Sequence, residues 1–216
     1  MPRKTLHAIF EQLLAAYGPQ HWWPGETPFE VMVGAVLTQN TAWGNVEKAI
    51  ANLVANGALD AEVIAACPAR RLAEWIRPSG YFNIKARRLQ NFCRWYLEQG
   101  GFEALRKWPT QELRHGLLSV NGVGPETADD MLLYAFERPV FVIDAYTRRL
   151  FSRLGMLDGE LGYETLRRHF EEELPADVEL FKEFHALIVY HAKAACRKRP
   201  LCVGCPLAAA CPAAGD

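Results

Sequence analysis

The last twenty-one residues of this 216-residue chain hold four cysteines, Cys196, Cys202, Cys205 and Cys211, in the spacing C-x5-C-x2-C-x5-C. Nothing else in the sequence constrains the fold so tightly. Four thiolates this close together can converge on one metal centre, and soft sulfur ligands favour zinc or iron–sulfur chemistry. The other two cysteines, Cys67 and Cys93, lie far upstream in helical-looking stretches and read as small core residues. Disulfides are the rival reading, but the start Met1-Pro2-Arg3-Lys4 leads into an amphipathic run, not the apolar core of an export signal.

Upstream of the tail the chain reads almost wholly as helix. Leu6 to Tyr17 is amphipathic and stops at Gly18-Pro19, Phe29 to Thr38 is apolar enough to be buried, and Val46 to Asn56 follows. Shorter helices are expected near 60–66, 69–76 and 83–99, the last capped by Asn83, with Thr110 capping another through Leu118. After a glycine turn comes a helix to about Phe136, an extended Val140-Phe141-Val142-Ile143, and helices over 145–154, 163–173 and 179–194. Strand signal is nearly absent, so the expected class is all-α with short connections, and Pro139 marks the best crossover between two lobes.

Half of the residues are apolar and 23% are charged, which suits a globular protein with a real core. No apolar stretch approaches the roughly 20 residues of a membrane helix, so no membrane partner is expected. The expected place is the cytoplasm, or the nucleoid in a bacterium or archaeon, and the expected state is a monomer. A net charge of −1 excludes a general nucleic-acid coat, but not a protein with a local basic face. Basic residues do cluster, at Lys85, Arg87 and Arg88, at Arg148, Arg149 and Arg153, and at Lys193, Arg197, Lys198 and Arg199.

Two segments carry chemistry. In Val120-Asn121-Gly122-Val123-Gly124-Pro125, glycines can take positive φ and leave amides uncovered, and Pro125 suits a first helical position. Such a turn is either a plain helix–helix connection or a dock for a DNA phosphate at a helix N-terminus. Asp144 follows the apolar extended run and precedes a helix. It reads as an N-cap, and equally as a carboxylate able to stabilise positive charge on a sugar or orient a water.

Gly122-Val123-Gly124 with Thr127-Ala128, Val142-Ile143-Asp144, Leu37-Thr38-Gln39-Asn40-Thr41, Gly80-Tyr81-Phe82-Asn83-x-Lys85-Ala86 and the tail cysteines together resemble the endonuclease III group of helix-hairpin-helix DNA glycosylases. The resemblance implies a two-lobed fold: a six-helix barrel over 23–136, and a discontinuous lobe of 1–22 and 137–216 holding a four-iron four-sulfur cluster, with zinc as the alternative occupant. It implies double-stranded DNA containing a damaged base as partner, and catalysis by Asp144. DNA contacts are expected from Gln39 and Asn40, which would fill the vacated base space, from Gly122, Val123 and Gly124, and from Lys85, Arg197, Lys198 and Arg199.

Two departures from the family pattern matter. Bifunctional members carry a Schiff-base lysine where this chain has Glu126, so lyase chemistry is expected to be absent and Glu126 is either a catalytic part or a dipole-favoured first-turn acid. Five residues, not six, separate the first two tail cysteines. The Trp22-Trp23 pair before Pro24 is similar to the 3-methyladenine glycosylases of this group, which would make Trp22, Trp23 and Trp43 the walls of a base pocket. Stacking a cationic alkylated purine between indoles gains a cation–π contribution of about 1 kcal/mol or more. The rival functions are excision of oxidised pyrimidines with lyase activity, mismatch excision, and a non-catalytic damage-binding module.

Overall fold

The computed structural model describes residues 5–22 and 25–215, so Trp23, one of the expected pocket residues, lies outside the described residues. Among the described residues there are twelve α-helices and no strand. The chain divides into two compact units, one of residues 23–138 and one of residues 1–22 with 139–216. No helix among the described residues is long and apolar enough to cross a membrane.

The unit of residues 23–138 is built on α2 (Pro28–Leu37), in which every residue from Val31 to Leu37 is buried. Its start is specified locally: Pro28 occupies the first turn, and the Thr27 hydroxyl accepts the Glu30 amide at 3.1 Å. Against it pack α3 (Trp43–Ala55), α6 (Phe82–Glu98) and α9 (Pro125–Asp130). The short helices α4 (Ala61–Ala66) and α5 (Ala69–Trp75) lie on α6, and α7 (Gly101–Leu105) and α8 (Thr110–Ser119) follow it.

Several local expectations are corrected here. The residue before α6 is Tyr81, in the left-handed region at φ 46°, and Asn83 sits inside the first turn and does not cap it. Thr110 likewise is the first residue of α8, with Pro109 before it and no side-chain cap. Helix α7 was hidden by Gly100-Gly101, both at positive φ, a pair that reads as a break. Beyond Asp130 the chain widens into a π turn over Met131–Ala135, where the Phe136 amide reaches five residues back to Met131 at 3.1 Å. Cys93 is buried as expected of a core residue, whereas Cys67 is half-exposed at the end of α4.

The other unit packs α1 (Leu6–Tyr17), α10 (Ala145–Arg153), α11 (Tyr163–Glu173) and α12 (Val178–Ala194). Its core is a set of phenylalanine rings, with Phe141 stacked on Phe170 at 4.3 Å and set edge-on to Phe181 and Phe184. Val140 to Ile143 is extended and buried but forms no sheet. Side chains of α11 take the place of a ladder partner: the Phe141 amide donates to the Glu171 carboxylate at 3.0 Å, and the Ile143 amide to the Tyr163 hydroxyl at 3.4 Å. Anchored this way, the segment delivers Asp144 to a fixed position.

Candidate catalytic centre and nucleic-acid interface

Asp144 caps α10. Its Oδ1 accepts the Thr147 amide at 2.7 Å and the Thr147 hydroxyl at 2.8 Å. Its Oδ2 faces Nε2 of His185, on α12, at 3.6 Å, and the aspartate side chain is only 12% exposed. Burial pulls the carboxyl upward, but the His185 imidazole and the two Thr147 bonds outweigh it and hold the group below the ordinary aspartate value. The carboxylate therefore stays ionised at neutral pH inside protein. Trp22 lies against the same histidine, ring centroids 5.8 Å apart and planes inclined 32°. One expected pocket wall and the expected catalytic acid thus share a neighbour that the sequence reading had not singled out.

In the unit of residues 23–138, the hairpin α8–turn–α9 is locked in two ways. Arg114 on α8 and Asp129 on α9 form a buried two-toothed pair at 2.7 and 3.1 Å. Gln39 donates from Nε2 to the Gly122 carbonyl and the Thr127 hydroxyl, both at 3.0 Å, and accepts from Arg88 at 2.5 Å. In this structure the Gln39 amide clasps the turn. Asn40, next to it, is exposed at φ 55° and is spent on no such clasp.

Gly122 takes φ 103°, and a Cβ there would meet Arg88 Cγ at 2.3 Å, so only glycine fits. Gly124 differs from the expected pattern. It is extended at φ −93° as the residue before α9, and nothing lies within 4 Å of where its Cβ would point. Its value is the open approach to the helix N-terminus. Val123 between them is buried, and Glu126 is exposed in the first turn of α9.

Lys85 is not a DNA contact. It is 1% exposed, and its ammonium donates to the carbonyls of Leu37 at 2.8 Å and Ser79 at 2.6 Å. Burial, with Arg88 nearby, pushes it down to about 8. The lysine pins the end of α2, which leads to Asn40, to the turn that carries Tyr81. Tyr81, absent from the expected site, is 68% exposed on a left-handed residue, a combination that an aromatic in a Gly-x-Phe-Asn turn could have suggested. The Trp43 ring tip rests against α2, 3.4 Å from a Cβ built on Gly34.

The four tail cysteines line one pocket, together with Leu150, Arg153 and His191. Burial first, then the neighbouring thiols of Cys196, Cys202 and Cys211, push the Cys205 thiol up, which reports their closeness. Among the described residues no three His, Cys, Asp or Glu side chains are placed to share a single metal ion. His191 bridges the Tyr17 hydroxyl at 2.8 Å and Cys205 Sγ at 3.9 Å, and burial lowers it to about 4. The arginine run of α10 is structural: Arg149 donates to the Cys196 carbonyl at 2.8 Å, while Arg153 donates to the carbonyls of Arg197 at 2.5 Å and Lys198 at 2.9 Å. Arg197, Lys198 and Arg199 themselves remain exposed on the loop so braced.

Comparison with known proteins agrees with this layout. The model of the HhH-GPD superfamily of base excision DNA repair proteins matches residues 33–176. A Methanocaldococcus jannaschii protein described as a DNA repair glycosylase is 49% identical over 199 residues, covering 91% of this chain and 90% of that one. The crystal structure of the H. pylori 3-methyladenine DNA glycosylase bound to 1,N6-ethenoadenine is 31% identical with a TM-score of 0.77, covering 88% of this chain and 98% of that one. A non-covalent endonuclease III–DNA complex shares the fold at a TM-score of 0.84 and 22% identity, covering 99% and 98%.

Proposed function

The chain belongs to the HhH-GPD superfamily of base excision DNA repair proteins and is a DNA repair glycosylase, and we propose that it is a monofunctional one that excises alkylated purines such as 3-methyladenine. The observation that carries this reading is a pairing of residues. Asp144 is kept as a buried, ionised carboxylate, while Glu126 stands where a Schiff-base lysine would have to be.

Double-stranded DNA is the partner. The uncovered amides of the Gly122–Gly124 turn and the start of α9 suit a phosphate, which positions the duplex without reading its sequence. Arg197, Lys198 and Arg199 add positive charge on an exposed loop. Asn40 and Tyr81, both exposed on left-handed turns, suit the gap left when a nucleotide swings out, one by hydrogen bonding and one by stacking. The extruded base would lie against Trp22, beside His185 and Asp144 of the same unit.

An N3-alkylated adenine is cationic, so its glycosidic bond breaks with the electron pair passing to the base, which leaves neutral. The sugar carbon becomes cationic, and Asp144 stabilises that charge. Water then adds its oxygen to the same carbon and gives up a proton, leaving an abasic site. Glu126 has no amine with which to form an imine, and the Lys85 ammonium is committed to two carbonyls.

The tail cysteines are the residues that would hold a four-iron four-sulfur cluster. All four line one pocket, and soft thiolates suit iron–sulfur chemistry. When bound, such a cluster would tie Cys196, Cys202, Cys205 and Cys211 together and stiffen the basic loop that Arg153 also braces.

The test is incubation with a panel of defined lesions and mass identification of each released base. Free 3-methyladenine with the abasic strand left uncut supports the reading. Release of oxidised pyrimidines, or robust borohydride trapping of protein on DNA, overturns it.

A further inference from the structure

The two oxygens of Asp144 have different neighbours. Oδ1 is consumed by the helix cap, taking both Thr147 donors. Oδ2 points to α12, where His185 Nε2 stands 3.6 Å away on a side chain only 5% exposed. Trp22 lies over that imidazole. Residues 22, 144 and 185, distant in sequence, therefore make one contiguous row inside a single compact unit.

A carboxylate held at one oxygen can still rotate about its Cβ–Cγ bond, whereas one held at both cannot. Electrostatic stabilisation of a transition state depends on that preorganisation, because a group that must turn during the reaction loses part of its effect. Resting on the glycosylase reading above, we propose that His185 is a positioning residue for hydrolysis of the glycosidic bond. Its Nε2, 3.6 Å from Asp144 Oδ2, holds the orientation of that carboxylate, and its ring joins the carboxylate to Trp22.

Among the described residues, Asp144 is faced by Thr147 from α10, His185 from α12 and, one residue away at Ile143, the Tyr163 hydroxyl from α11. Of these three residue types only histidine changes charge near neutral pH. The sign of the pH effect follows. His185 is among the contacts that hold the Asp144 carboxyl low, so removing it lets the carboxyl protonate at higher pH. The acid limb of the activity profile should then move up.

The experiment measures single-turnover base release from alkylated DNA across pH for the wild type, His185→Leu and His185→Gln, each also in an Asp144→Asn background. Loss of the 3.6 Å contact with the carboxylate predicts a rate lower by about 10- to 100-fold in His185→Leu. His185→Gln, which keeps an N–H donor, should recover to within about threefold of wild type, and the acid limb should rise only in His185→Leu. In the Asp144→Asn background the histidine substitution should cost nothing further, since it acts through the carboxylate. Unchanged rate and acid limb in His185→Leu, or effects that add to Asp144→Asn, overturn the proposal. So does failure of His185→Gln to recover the rate when its thermal midpoint matches wild type.

If the wild type releases no base at all, the glycosylase reading fails. The pair is then judged on the free protein by a carbon-13 NMR titration of the Asp144 carboxyl. An upward shift in His185→Leu but not in His185→Gln sustains it, and identical titrations in all three proteins refute it.

Discussion

Gly122 and Gly124 look interchangeable in sequence, yet the structure predicts opposite outcomes for the same substitution. Gly122→Ala would force a side chain onto φ 103° and drive its Cβ to 2.3 Å from Arg88 Cγ and 2.8 Å from Arg88 Cβ. The backbone strain is worth about 1–3 kcal/mol. Moving Arg88 aside also breaks its bond to Gln39 and loosens the Gln39 hold on the Gly122 carbonyl, about 0.5–1.5 kcal/mol for each hydrogen bond. The sum is a destabilisation of about 2–6 kcal/mol, a large share of a typical domain's total. Gly124→Ala meets no atom within 4 Å and keeps an extended backbone. Its poorer capping and its reduced unfolded-state entropy offset one another, leaving stability within about 0.5 kcal/mol of wild type. Its new methyl group instead obstructs the approach to the α9 amides and should weaken duplex binding about tenfold. Urea unfolding and equilibrium binding to a lesion duplex separate the two effects. Equal stability losses at both positions, or a Gly122→Ala protein as stable as wild type, would refute the reasoning.

Arg114→Ala leaves the buried Asp129 carboxylate without its guanidinium and should cost about 3–5 kcal/mol, whereas Arg114→Met with Asp129→Leu should recover most of it, both read by urea melts. Glu126→Lys restores an amine in the exposed first turn of α9, so borohydride trapping on abasic DNA should rise well above the wild-type background; trapping at the wild-type level would count against the lysine argument. The Asp144 carboxyl lies below its unfolded value, so its stabilisation is complete above the unfolded aspartate pKa and is lost as pH falls through the folded one. Asp144→Asn should therefore lose that stabilisation at neutral pH, with the gap to wild type closing as pH falls below about 4, followed by thermal melting across pH.

Much of this was legible in the residues. An apolar extended run ending in aspartate before a helix identified Asp144 as a cap, and the spacing of the tail cysteines placed all four around one pocket. Lys85 was misread by its company. Beside Arg87 and Arg88 it looked solvated, yet it falls four residues before Leu89 and seven before Phe92, on the buried stripe of α6, so helical phase outweighs charge clustering there. The role of Gln39 was hidden because its partners, Gly122 and Arg88, are remote in sequence. His185 gave no local signal for the same reason: one histidine on an apolar helix face is ordinary until a distant aspartate is seen opposite it.

The central claim, that Asp144 is the catalytic carboxylate of a base-excising enzyme, is tested most directly by single-turnover release of 3-methyladenine from duplex DNA by wild type and Asp144→Asn, with duplex affinity measured alongside. The account predicts release by the wild type and a rate lower by about 100- to 10,000-fold in the variant, at unchanged affinity. Equal rates in the two proteins would contradict it.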